Sequence, residues 1–421
     1  MQAICFIALL SLFVTMPAVM GATPPTSAPL NTPQSPKPIK SPTDSPIKSA
    51  QALARYLHDT PALASPLDQL SPGAKKRFLS SLQFGENGLG GFDPTDLEAE
   101  LTNEEIHRVL ALFGAQDYAA NLHGVQSGAR TAHAPACTVP IGCPESRIER
   151  SFNNFYALSE SSLTDVTQQL KSRQLIRRYR ELFAGEQSRN KLEAMSDSDL
   201  KLLYRAATTA SFESHDATFL PDMTLDLDEL QRRGLATDND VVQLHSMQVA
   251  ARQFAAADAL AIEYPSSRLQ VLPVLQDLVP PHHDGPSVLT VNTDGRHMTR
   301  NAFDLRAQVQ IVVVAGCHFA ADAARYIEAD ATLDRIFKQH ALWLGSQAEN
   351  VDDVLHWNRE HTSQPMNIAW RDSDWPALGS WAMPTFYIFE HGKLVNQFSG
   401  WSNEITPRQL RTALKQAGLL R

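Results

Sequence analysis

Cysteine is scarce in this chain, with four in 421 residues. That is too few for a scaffold built on disulfides. Positive charge is scarce too. Lys+Arg 37 against Asp+Glu 46 leaves a net −9 at pH 7, which excludes a general nucleic-acid binder because counterion release needs a concentrated basic surface. After the N-terminal segment no apolar run approaches the roughly 20 residues that span a bilayer; the longest strongly apolar stretch is Val309–Ala315. Tryptophan is missing from everything before Trp343. No period recurs along the middle, so a repeat array is not expected. What is present is globular in proportion, 43% apolar and 20% charged, in a length that suggests two or three domains.

Residues Met1 to Ala22 carry no Asp, Glu, Lys or Arg. An apolar stretch from Ile4 to Val14 is followed by Ala18, Gly21 and Ala22, the outline of a cleaved export signal that lacks a basic leader. The expected location is therefore exported, periplasmic or extracellular, with no membrane span after cleavage. Cys5 leaves with the signal. Residues 23–49 hold eight prolines and nine Ser/Thr and have almost nothing to bury, so they read as an extended tether.

From residue 50 to 276 the pattern has helical period. Thr102 with Glu105 fits a capping box ahead of Ile106, Val109, Leu110 and Phe113 on one face. Ser196 starts a second helix with Leu200, Leu203, Tyr204 and Ala207 on its stripe. An Ala-rich stretch from Asp238 stops at Tyr264-Pro265. Residues 50–285 carry a net charge of about −10, while the chain from Pro286 onward is almost neutral and holds all six Trp. Both asymmetries predict a mainly helical domain over 50–276 and a second domain over 287–421, joined near Pro280-Pro281-His282-His283. Adjacent histidines in a Pro/Gly linker are ordinarily solvated and no further ligand cluster has fitting spacing, so no metal and no cofactor is expected.

The last third alternates strand and helix signals. Ser287–Asn292 and Val309–Ala315 read as strands, the second continuous as a buried parallel strand is. Gly316-Cys317-His318-Phe319-Ala320 follows and opens a helical run to Ala329. Ala341–Leu344 is another strand and Val351–Glu360 another helix. Met383-Pro384-Thr385 leads into strand Phe386–Phe389, a turn at His391-Gly392, and strand Leu394–Phe398. Thr406 reads as the N-cap of a closing helix, with Pro407 at its first position and Gln409 completing a capping box.

This order resembles the thioredoxin-like superfamily, nearest to its exported thiol-disulfide members, over Ser287–Arg421. The most specific match is Met383-Pro384-Thr385-Phe386-Tyr387-Ile388-Phe389, then His391-Gly392-Lys393 and Gly400. The resemblance implies an α/β fold, a central mixed sheet flanked by helices, preceded here by the helical domain. It also implies a cis-proline at Pro384 facing a nucleophilic Cys317, with Gly316, His318, Met383 and Thr385 lining the substrate groove. A helix N-terminus favours the thiolate, so Cys317 is expected to be a better nucleophile than an ordinary cysteine.

The chain departs from the family's W-C-x-x-C. Gly316 replaces the tryptophan and Ala320 the second cysteine, so the resolving thiol is missing. A single thiolate can still attack a disulfide and be displaced by another thiol. The expected partners are protein thiols or disulfides, or an external small thiol, with a protein partner held by the helical domain. The opposing reading is a redox-inactive binding protein in which Cys317 is a small packing residue. A peroxidase is disfavoured, because Val312–Gly316 stands where a Pro and a Thr/Ser would position peroxide. Cys137 and Cys143, flanking Pro140 and Gly142, read as a local structural disulfide in an oxidising compartment, ahead of either one resolving Cys317.

Overall fold

The structure is a computed structural model that describes residues 46–61, 64–85, 88–122, 124, 145–159, 168–215, 217–306, 309–402 and 404–421. The export-signal segment, most of the Pro-rich stretch, Cys137 and Cys143 lie outside the described residues. The chain forms two compact units, Met1–Thr131 and Ala132–Arg421.

In the first unit, helices α1 (Ala50–Asp59) and α2 (Pro72–Ser81) precede a small hairpin of β1 (Gln83–Gly85) and β2 (Gly88–Gly91), then α3 (Thr95–Glu100) and α4 (Asn103–Ala111). Helical periodicity did not predict the hairpin, whose glycine-rich strands carry no period to read. Thr102 forms the expected capping box with Glu105, so Ile106, Val109 and Leu110 enter the core with Leu67, Phe78 and Leu97. Arg77 and Asp96 pair inside this core, with Nη2 donating to Oδ1 at 2.8 Å.

The second unit opens with helices: α5 (Arg147–Ser159), α6 (Gln168–Phe183), α7 (Arg189–Ala194), α8 (Asp197–Ser214), α9 (Leu220–Arg232), α10 (Asp238–Ala250) and α11 (Phe254–Glu263). The expected stripe on α8 is buried at Leu200, Leu203, Tyr204 and Ala207. The Ala-rich stretch is broken into α10 and α11 at Arg252, which has φ 61°. No helix among the described residues is long and apolar enough to cross a membrane.

An eight-stranded mixed sheet follows in the same unit. Its strands are β3 (Val274–Asp277), β4 (Ser287–Val291), β5 (His297–Ala302), β6 (Val309–Val314), β7 (Ala341–Gly345), β8 (Met366–Ala369), β9 (Thr385–Glu390) and β10 (Lys393–Ser399). The spatial order is β10-β9-β6-β7-β8-β4-β5-β3. The stretch expected to end the helical region thus supplies an edge strand, β3, parallel to β5. Helices α12 (His318–Ala329) and α13 (Ala331–His340) connect β6 to β7, α14 (Val351–Glu360) connects β7 to β8, and α15 (Thr406–Gln416) closes the chain.

The side-chain alternation of the strands sorts the two faces. Ile311, Val313, Trp343, Ile368, Phe386 and Ile388 pack with the apolar stripes of α12, α13, α14 and α15. Val312, Val314, Leu342, Leu344, Tyr387 and Phe389 face the other way, against Trp375, Leu378, Trp381 and Met383. Among the described residues no α-helix contributes to that second cluster. The helices therefore cover one face of the sheet, where the sequence led us to expect helices flanking it. The reason is topological. β6 to β7 and β7 to β8 step in the same direction across the sheet, and right-handed crossovers in one direction put both connections on one face. The closing helix also differs at its start. Ile405 is the N-cap, and Thr406 is instead helical, its Oγ1 accepting from Ser402 N at 3.0 Å.

The helices and the sheet of this unit are joined by polar contacts. Gln347, just after β7, donates from Nε2 to His215 O at 2.7 Å and Ala250 O at 2.8 Å. Asp372 accepts from Gln347 N at 2.7 Å and lies 3.1 Å from His215 Nδ1.

Candidate functional site around Cys317

The register of three strands builds the site. Val314, the last residue of β6, pairs with Leu344 of β7 on one side and Thr385 of β9 on the other. The carboxyl ends of two adjacent parallel strands and the start of an antiparallel one therefore meet at one point. Three loops leave from it: Ala315–Cys317, the Ser346–Asn350 loop and Ala382–Pro384. The carboxyl ends of parallel strands are where open α/β sheets place their chemistry.

Cys317 is the N-cap of α12, with φ −120° and ψ 166°. Its side chain does not cap the helix; Sγ instead faces Met383 O at 3.5 Å. Its carbonyl accepts from Ala320 N at 3.0 Å and Ala321 N at 3.1 Å, which starts the helix. The helix forms because Ala320, Ala323, Ala324 and Ile327 recur at helical spacing and all four are fully buried. The thiol is half-buried. It thus has access to solvent on one side and the field of the helix N-terminus on the other.

Of the other residues singled out from sequence, Pro384 is buried, the Met383–Pro384 peptide is cis, and Pro384 O accepts from Gly400 N at 2.8 Å. Met383 is half-buried and stands beside both Gly316 and Cys317. Thr385 is fully buried, its Oγ1 donating to Ala382 O at 2.6 Å and lying 2.9 Å from Ser399 Oγ, so its side chain braces the loop from inside. His318 is exposed and its ring lies 3.9 Å from that of Phe319, itself 38% exposed.

Sequence reading missed Glu349. Gly316 has φ 142°, a region that glycine alone occupies without strain. A Cβ placed on it would stand 2.5 Å from Glu349 Oε2 and 3.0 Å from Met383 Sδ. A Cβ on Gly345 would meet Glu349 Cγ at 2.8 Å. Two glycines thus leave the room in which the Glu349 carboxyl lies, beside the residue that precedes Cys317. Burial, helped by the charge of Asp353, pushes that carboxyl up to about 8. The sequence signal was ambiguous: Glu349-Asn350-Val351-Asp352-Asp353 reads as ordinary acidic residues at a helix start. Among the described residues there is no cluster of three or more His, Cys, Asp or Glu arranged to hold a metal.

The arrangement has the parts for nucleophilic thiol chemistry: a half-buried thiol at a helix start and a backbone carbonyl at the thiol. No protein-family model and no curated protein matches this chain.

Proposed function

We propose that the sheet-bearing part of this chain is a thioredoxin-like module in which Cys317 performs thiol-disulfide exchange on protein thiols and disulfides. We place its work after export, in the periplasm or outside the cell. The observation that carries this reading is the position of Cys317, half-buried at the N-terminus of α12 with its Sγ 3.5 Å from Met383 O.

The Cys317 thiolate attacks one sulfur of a substrate disulfide. A bond forms between Cys317 Sγ and that sulfur, the substrate S–S bond breaks, and the electron pair leaves on the second sulfur, which is protonated to a thiol. With Ala320 where a resolving thiol would stand, release falls to an external small thiol. That thiol attacks the mixed disulfide, returns Cys317 to the reduced state and departs joined to the substrate sulfur. No cofactor enters either step. The helical part of the chain, with its excess of acidic residues, is the part we assign to holding a protein partner.

A second reading, a redox-inactive binding module, is favoured by one observation. Ala320 is fully buried in the core, so the second active-site position is given over to packing. Mixed-disulfide trapping separates the two. Wild-type protein incubated with a disulfide-bonded protein should form a covalent adduct that maps to Cys317 and vanishes in Cys317→Ser. Absence of any adduct at Cys317 would leave the binding module as the better account.

A further inference from the structure

We infer that an exposed arginine ridge on α6 is where the helices hold their protein partner, and that the partner meets it with an acidic α-helix. This rests on the assignment of a protein partner to the helical part, made above. It is independent of the chemistry at Cys317.

α6 has the opposite charge to its surroundings. It carries Lys171, Arg173, Arg177, Arg178 and Arg180 against Glu181 alone. By contrast α8, α9, α10 and α11 each hold more Asp and Glu than Lys and Arg. Leu175, Tyr179 and Phe183 are buried and fix which way α6 faces. At about 100° per residue, Arg173, Arg177 and Arg180 fall within an arc of about 60°, well away from that buried stripe. All three are exposed.

Other arginines of these helices are matched by carboxylates. Arg178 Nη1 donates to Glu181 Oε2 at 3.0 Å, Arg232 Nη2 lies 2.6 Å from Glu229 Oε1, and Arg233 Nη1 lies 2.7 Å from Asp197 Oδ1. Among the described residues, the guanidinium groups of Arg173 and Arg177 meet no carboxylate, and that of Arg180 meets only the ring of Phe219, 5.4 Å from its centroid. Like charges three and four apart on one helix repel, so the ridge weakens α6 taken alone. The helix is nevertheless firmly backed. Ser172 Oγ donates to Glu213 Oε2 at 2.7 Å on α8, and Tyr179 Oη donates to Asp222 Oδ2 at 2.9 Å on α9. The ridge is thus a preorganised row of unmatched cations, which lowers the ordering cost of binding.

Its spacing selects the partner. Arg173 and Arg177 are about 6 Å apart along the axis, and Arg177 and Arg180 about 4.5 Å. A facing helix with carboxylates at i, i+4 and i+7, or at i, i+3 and i+7 if antiparallel, repeats that spacing. Alternate residues of a strand are about 6.6 Å apart, so an extended acidic segment falls out of register by its third carboxylate. Arginine, which dominates the ridge, pairs carboxylates through two parallel N–H groups. A flat anionic lipid surface needs no such spacing and would also repel the acidic helices beside α6.

The test uses the full chain and a fluorescent, cysteine-free Ala/Gln helical peptide with Glu at i, i+4, i+7 and i+11, which contains both spacings. A second peptide of the same composition spreads its Glu around the helix. Anisotropy titrations of wild type should favour the ordered peptide by about tenfold, since each exposed ion pair contributes about 1.4- to 5-fold. The preference should fade as salt is raised and vanish in R173Q/R177Q/R180Q. R173E/R177E/R180E should instead prefer the ordered peptide with Lys in place of Glu. Equal binding of the two Glu peptides by wild type, or a preference that survives in R173Q/R177Q/R180Q, would overturn the inference. Binding to phosphatidylglycerol vesicles with no discrimination between the peptides would replace it with a lipid surface. Should the triple variants fail to fold, the wild-type comparison of the two peptides still decides. Because the peptides lack cysteine, trapping at Cys317 is scored apart. An adduct at Cys317 without peptide preference removes this inference and leaves the exchange reading standing, and peptide preference without an adduct does the reverse.

Discussion

Arg252 closes over Trp370. Its guanidinium lies 5.4 Å from the ring centroid, Nε donates to Trp370 O at 3.0 Å, and Nη2 donates to Ala369 O at 2.6 Å. Arg300 approaches the same ring at 4.2 Å. One residue at the break between α10 and α11 thus caps the end of β8 and ties the helices to the sheet. Burial lowers the Arg252 pKa to about 10, so the side chain stays charged at neutral pH and its hydrogen bonds are charge-assisted.

Arg252→Ala should therefore loosen the helices from the sheet while leaving each largely folded. We expect a cost of about 2–4 kcal/mol, the range for removing a multiply bonded buried side chain. Tryptophan emission checks it, because every Trp lies at or beyond Trp343 and Trp370 sits at the joint. The variant should red-shift emission at urea concentrations below the main transition. An unchanged single transition would show that the contact does not couple the two parts.

Asp226 predicts a pH slope. It is fully buried on α9, and neither carboxyl oxygen has a hydrogen-bond partner. Burial first, then the charge of Asp222, raises it from 3.8 to about 8, with nearby Gln187 opposing in part. The folded protein therefore holds a proton that the unfolded chain releases across that window. The stabilisation is full below the unfolded pKa and is lost as pH rises through the folded one. The limiting slope is about 1.4 kcal/mol per pH unit for one such group. Asp226→Asn should flatten urea-unfolding free energies measured between about pH 5 and pH 7.5, inside that window. Equal slopes in the two proteins would show that Asp226 does not dominate this range.

Gly316→Ala tests the enclosure beside Cys317. The substitution forces a φ of 142° on a residue with a Cβ and drives that Cβ to within 2.5 Å of Glu349 Oε2. Backbone strain of this kind costs about 1–3 kcal/mol. The new Cβ also crowds Met383 Sδ at 3.0 Å, and Cys317 Sγ faces Met383 O, so the pH profile of Cys317 alkylation should change together with stability. Loss of stability with an unaltered profile would separate the packing role of Gly316 from any role in the chemistry.

Much of the sheet was legible because its strands are apolar runs or sit against clear turns. β6, β7, β9 and β10 fall within one or two residues of their expected limits, and α14 coincides with Val351–Glu360. β5 was not legible: in His-Met-Thr-Arg-Asn-Ala only Met298 is buried, since the strand lies near the sheet edge and needs little apolar surface. β8 was missed because Met-Asn-Ile-Ala is short and its Asn367 is polar. At the site, Cys317 and Met383-Pro384 could be found because each follows or precedes a strong strand signal. Glu349 could not, since its meaning depends on two glycines at the ends of different strands. The one-sided helical layer was hidden too, because it follows from strand order and no local pattern encodes that order.

Ala320→Cys tests whether the exchange site proposed at Cys317 can support dithiol chemistry. Ala320 lies one helical turn after the N-cap Cys317 and is fully buried. Positions three apart on a helix have Cβ atoms about 5–6 Å apart, while a disulfide brings its Cβ atoms to roughly 3.5–4.5 Å. The bond thus needs only a small adjustment, and Cys317 at the cap, with extended backbone, has freedom to make it. One added sulfur in the core should cost about 1–3 kcal/mol in the reduced form. In return the variant should release trapped substrate by itself, so its turnover should become independent of added small thiol, whereas wild type should depend on it. Non-reducing peptide mapping of the oxidised variant should find Cys317 linked to the introduced cysteine. If the two thiols form no such link and turnover still requires the external thiol, burial has fixed position 320 for packing alone, and the site works through a single thiol.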